Sequence, residues 1–143
     1  MAFNAYLKLL GINGEATSPG YDKWITIDSW SWGASRPGVG GRLSTQSFSF
    51  TAHAGAHTAP LLTLLAEQKV VKTGMLTVTK SGEKGLPAVQ QKWEFTDIAL
   101  EAYEIGESLL LDEGPEEQVS FEFTALTLIT GSNEVVIRVE PPG

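Results

Sequence analysis

Along most of this chain apolar and polar residues alternate one by one, the period of a half-buried β-strand, and one segment changes to a helical period. Phe3 to Leu10 places Phe3, Ala5, Leu7 and Leu9 on one face. Gln46 to His53 sets Phe48 and Phe50 against Ser47, Ser49 and Thr51. Val71 to Lys80 reads as a further strand. Val119 to Thr130 alternates Phe121, Phe123, Ala125 and Ile129 with Glu122 and Thr124, and a last strand carries Val135, Ile137 and Val139. Turn chemistry separates these runs: Gly11 to Glu15, Thr17 to Gly20, Ser81 to Gly85, and Gly131-Ser132-Asn133.

Two segments break the alternation. In Trp24 to Gly33, Ile25 and Ile27 lie on one face, whereas Trp30 and Trp32 lie on the other. A strand changes its buried face only through a bulge or bend, which we place at Asp28-Ser29. Beyond it Ser29, Ser31 and Gly33 form a small polar face with two indoles behind. Val89 to Ile105 switches parity in the same way, from Val89, Trp93 and Phe95 to Ile98, Leu100 and Ala102. The helical segment starts with Thr58 as cap and runs through Pro60, Leu61, Leu62, Leu64, Leu65 and Gln68, with Leu61, Leu65 and Gln68 on one side. The expected fold is mainly β, a β-barrel or two-sheet sandwich with one lateral helix, in a single domain over residues 1–143.

Composition narrows the function. Ten basic against seventeen acidic residues give a net charge of −7, the wrong sign for a nucleic-acid partner. The chain has no cysteine, which excludes disulfides, thiolate nucleophiles and cysteine zinc sites. Met1 to Lys8 lacks the basic segment and apolar run of a Sec signal peptide, and no run reaches the ~20 apolar residues of a membrane span. The expectation is a chain that starts in the cytosol and is exported, if at all, by another route.

Candidate chemistry is sparse. His53 and His57 are spaced as a helical zinc pair would be, but Gly55 between them argues for ordinary turn histidines. Asp112, Glu113, Glu116 and Glu117 flank Pro115 and lack the alternate ligand positions of a calcium loop, which favours a solvated acidic loop. Glu101, Glu104 and Glu107 do not make a catalytic pair, and no nucleophile or phosphate-binding motif is present. No cofactor, metal or catalytic residue is expected. Trp30 and Trp32, at alternate positions, fit a core or a subunit interface better than the sugar-stacking strip of a carbohydrate-binding β-module, the alternative from a different class. Arg36 to Arg42 is a glycine-rich loop with Val39 near its tip: either a solvated hairpin tip or a contact arm.

The block Phe3 to Thr17, followed by Ile25-Thr26-Ile27-Asp28-Ser29-Trp30-Ser31-Trp32-Gly33, resembles the haemolysin-coregulated protein (Hcp) family of tube proteins. Phe48-Ser49-Phe50-Thr51, Pro60-Leu61-Leu62 and Val119-Ser120-Phe121-Glu122-Phe123 extend the likeness over nearly the whole chain. Tyr21, where many members have histidine, and the compact Arg36–Arg42 loop depart from the pattern. The resemblance implies a β-barrel with a lateral helix, assembled as hexameric rings. These stack into the inner tube of the type VI secretion machine, or of a related phage-tail-like contractile injection system. It also implies sheath, spike and baseplate partners, small effectors carried in the lumen, and secretion without a signal peptide. On that reading Ser29 and Ser31 are lumen candidates, and Arg36, Val39 and Arg42 form a ring-stacking loop whose cations meet the acidic Asp112 to Glu117 segment of a neighbour. With Gly143 as its last residue, the chain is not expected to carry the C-terminal toxin domain of some members.

Overall fold

A computed structural model describes residues 3–41, 43–81, 87–107 and 114–139. The strands are β1 (Phe3–Leu9), β2 (Ile25–Ile27), β3 (Ser29–Ser31), β4 (Ala34–Ser35), β5 (Ser44–Thr45) and β6 (Phe48–His53). After the helix α1 (Thr58–Ala66) come β7 (Val70–Ser81), β8 (Pro87–Gly106), β9 (Glu116–Glu122), β10 (Ala125–Thr130) and β11 (Asn133–Arg138).

Nine strands form one antiparallel sheet. Seven of them follow the order β2-β1-β7-β8-β9-β6-β3, with β10 on β8 and β11 on β10; β4 and β5 make a separate ribbon. The two ends of that path are neighbours in the chain. β2 and β3 are separated only by Asp28, whose N–H donates to the Thr51 carbonyl at 2.8 Å. The sheet therefore curls until its first and last strands meet through the backbone, and the ladder itself stays open. Leu7, Leu9, Ile25 and Ile27 from one end share a core with Phe48, Phe50 and Phe121 from the other. The expected irregularity at Asp28 is this crossing: what reads as one broken strand is two short strands with different partners, β1 and β6.

The corner in β8 has an equally local cause. Asp97 adopts a left-handed φ of 51°, so Trp93 and Phe95 are buried before it and Ile98 after it. The partner chain turns at the same point. Thr124 donates its N–H to the Thr96 carbonyl at 2.9 Å, and its hydroxyl lies 3.2 Å from the Asp97 carboxylate. Phe121 and Phe123 are buried before Thr124, and Leu126 after it. The expected alternation through Ala125 and Ile129 is thus corrected, because the strand changes parity to follow its partner around the corner.

Aromatic rings fill the middle. Phe48, Phe95 and Phe121 are mutually 5.1 Å apart by centroid, a spacing at which edge-to-face and offset pairs add to burial. Gly74 on β7 leaves space for the neighbouring aliphatic packing, since a Cβ there would clash with Ile98 and stand 2.9 Å from Leu9.

Other expectations are corrected. Thr58 is the first helical residue and not the cap; His57 is the N-cap, with no side-chain capping bond. The helix ends at Ala66, and Gln68 lies beyond it with φ 53°. Leu61 is fully buried, Leu65 half-buried and Gln68 exposed, because the short helix touches the sheet over little more than one turn. Phe3 is 63% exposed at the start of β1. Val135 and Val136 on β11 are also exposed, since this strand pairs with β10 alone.

Candidate functional surface

The outward faces of β3, β6 and β9 line up residue by residue. Ser31 pairs with Ser49, which pairs with Ser120; Ser29 pairs with Thr51, which pairs with Gln118. These two rows hold only hydroxyls and one amide. Ser29, Ser31 and Gln118 are exposed; Ser49, Thr51 and Ser120 are half-buried. The Ser29 and Thr51 hydroxyls are 2.6 Å apart. Strand alternation produces this strip: every residue between its members points inward, where Trp30 stacks on Phe48 at 6.0 Å and Phe50 and Val119 are buried. The result is an uncharged strip three strands wide, bounded on β8 by exposed Glu104 opposite Gln118 and backed by an aromatic core. Sequence reasoning found its Ser29 and Ser31 side but missed Ser49, Thr51, Gln118 and Ser120, which only strand pairing brings alongside.

Trp30 and Trp32 are half-buried and turn towards Trp93, with centroids 5.1 and 5.9 Å away; Trp32 also approaches Phe123 at 6.3 Å. Their ring faces are engaged with the core cluster.

One further row along the same strands, the chemistry changes. His53 ends β6 opposite Glu116, the first residue of β9, and its Nδ1 is 2.6 Å from the Asp28 carboxylate. Behind this rim Glu117 is completely buried. Its carboxylate accepts from His57 Nε2 at 2.5 Å, from the Thr58 hydroxyl at 2.7 Å and from the Tyr103 hydroxyl. Three donors to one buried carboxylate tie α1, β8 and β9 together, which is how a buried charge becomes tolerable. Burial, followed by the bond to Glu117, raises the Tyr103 pKa. Two expectations therefore change. His57 does lie in the turn before α1 but is buried and tied into this network, and Glu117 belongs to the core face of a strand and not to a solvated loop. Asp112 and Glu113 lie outside the described residues.

Residues 36–41 follow β4 in the connection to β5. Val39 at its tip is fully exposed, and Gly38 and Gly40 on either side have φ of 70° and 83°, a backbone that disfavours larger residues. Arg36 is exposed; Arg42 lies outside the described residues.

Residues 6–128 match the family model described as "Type VI secretion system effector, Hcp". The chain belongs to the Hcp family. Among solved structures, Hcp1 from Salmonella typhimurium superposes with a TM-score of 0.80 at 21% identity, over 94% of this chain and 92% of that one. A type VI secretion system effector from Yersinia pestis gives 0.79 at 21% identity, covering 96% and 99% of the two chains. A further Hcp protein reaches 0.87 at 15% identity, over 99% and 100%. At these identities the likenesses establish the Hcp fold. No match was found among curated protein sequences. Hcp is a structural, secreted tube protein of type VI secretion. Among the described residues no helix is long and apolar enough to cross a membrane.

Proposed function

We propose that this Hcp chain assembles as hexameric rings which stack into the inner tube of a type VI secretion system, with the strip Ser29–Ser31–Ser49–Thr51–Gln118–Ser120 facing the lumen. The observation that carries the reading is the composition of that strip. A surface that lets folded cargo slide must avoid ion pairs and apolar adhesion, and two rows of hydroxyls and an amide across three strands do so. Ring closure needs one patch to meet a different patch on the next subunit. The exposed Val135 and Val136 on β11 supply apolar surface at an open sheet edge suited to that contact.

Val39 and Arg36 form the arm that reaches the next ring. The acidic surface available to its cation differs from the sequence-based expectation, since Glu117 is buried and Glu116 is exposed at the strand end. The partners of the assembled tube are its sheath, spike and baseplate, with small effectors in the lumen, and the whole chain acts as one tube domain.

Light scattering after size exclusion tests the ring: a six-fold mass relative to the 15.4 kDa chain is expected, and a monomer at every concentration counts against it. Ser31→Trp tests the lumen. The variant should form rings that no longer retain effectors; loss of the rings themselves would assign Ser31 to a subunit contact.

A further inference from the structure

The rim where β2, β6 and β9 converge carries a grouping of ligand-type side chains distinct from the serine strip. Asp28, His53 and Glu116 place one ligand atom each within 4.8 Å of one another. Three independent features of the backbone hold them there. His53 and Glu116 are direct cross-strand partners. Asp28 is fixed by its N–H bond to the Thr51 carbonyl, two residues before His53 on the same face of β6. The chain bends at Asp28, so its side chain turns to the strand end, where its carboxylate meets His53 Nδ1 at 2.6 Å.

Beside them lies a cavity of about 390 Å³ lined by Glu15, Thr26, Asp28, His53, Ala54 and His57. Among the described residues no lysine or arginine lines it. His57 is 4% exposed, and its Nδ1 is buried without a hydrogen-bond partner among the described residues. The other ring nitrogen, Nε2, is engaged by the Glu117 carboxylate at 2.5 Å. Nδ1 is therefore the buried polar atom that the cavity must satisfy, and a water held by a cation in that cavity supplies the partner.

We propose that Asp28, His53 and Glu116 bind one divalent transition-metal cation, with zinc the natural probe, and that His57 Nδ1 is hydrogen-bonded to a water on that cation. Two carboxylates neutralise the charge, the imidazole selects a transition metal over magnesium or calcium, and the cavity leaves space for the remaining water ligands. The cation ties the β2–β3 crossing, the end of β6 and the start of β9, and so clamps the one place where the curled sheet is joined by chain and not by ladder. The inference stands apart from the ring and lumen assignments.

The test uses tag-free, chelator-stripped protein titrated with zinc chloride by calorimetry, with magnesium chloride as control. Saturable binding of one zinc per chain is expected, with a melting temperature that rises with zinc concentration. His53→Gln and Asp28→Asn should each weaken binding at least ten-fold. Asp28 is exposed, so that variant keeps the fold. The chain has two histidines, so ring resonances separate them: zinc should shift His53 strongly and His57 weakly. Absence of saturable heat overturns the proposal. So does zinc binding that both variants retain, or magnesium binding of equal strength.

Discussion

The outer face of β3, β6 and β9 and the rim at its end are built on the same strands, one row apart, with opposite chemistry. The face carries serines, a threonine and a glutamine that need no partner beyond each other and water. The rim carries Asp28, His53 and Glu116, with Glu117 and His57 buried behind them. The difference lies in how a polar group is tolerated. A half-exposed hydroxyl keeps its water, so changing it costs little. A carboxylate with no exposed surface has exchanged all its water for three protein donors, and every one of them then matters. Neutral residues suit the proposed lumen face, and fixed charges suit a junction between strands.

Breaking the buried side should have the largest effect. Glu117→Ala leaves a cavity and strips His57, Thr58 and Tyr103 of their acceptor at once. A loss of about 3–5 kcal/mol is expected, read by urea denaturation; a loss below about 1 kcal/mol would show the network to be incidental. Tyr103→Phe removes one donor of three and should cost about 1–2 kcal/mol in the same assay. On the open side, Ser49→Ala and Ser31→Trp should each leave stability within about 0.5 kcal/mol, however much the tryptophan affects cargo. If Ser49→Ala proved as damaging as Tyr103→Phe, the contrast between face and rim would fail.

A smaller effect separates paired from crowded carboxyls. Glu122 is held above its ordinary 4.5 by a hydrogen bond to Glu101, then by that neighbour's charge, then by desolvation. The folded state therefore holds this proton more tightly than the unfolded chain does, and stability falls as pH rises from the unfolded value through the raised folded one. Glu122→Gln should remove that fall, so thermal melts of variant and parent should diverge above about pH 4.5, with the variant the more stable. The arm gives the mildest readout on the isolated chain. Val39→Asp at a fully exposed tip should leave the melting temperature unchanged while weakening ring stacking, and raised salt should weaken stacking in the parent.

Much of this architecture is legible from alternation alone. Ile25 and Ile27 against Trp30 and Trp32 located the crossing at Asp28, and Phe95 against Ile98 located a corner in β8, because a strand that changes its buried face must bend. The second corner, at Thr124, escaped notice. Phe121, Phe123, Ala125 and Ile129 read as unbroken alternation, and small apolar residues on both parities hide a switch. Glu117 was misread for a related reason: beside Glu116 and a proline it looks like loop, and nothing local marks it as an inward position. The metal-ligating trio was invisible because its members lie far apart in the chain.

The sequence by itself determined most of the strands, the helix, two changes of face and the family, since each rests on local period or on contiguous motifs. Tertiary structure alone decided which residues stand side by side. The serine rows and the trio at the rim depend on the pairing of β3 with β6 and β6 with β9, and the Tyr103 bond to Glu117 on that of β8 with β9. That register is set by packing of the shared aromatic core, a sum over distant residues that no local stretch of sequence contains.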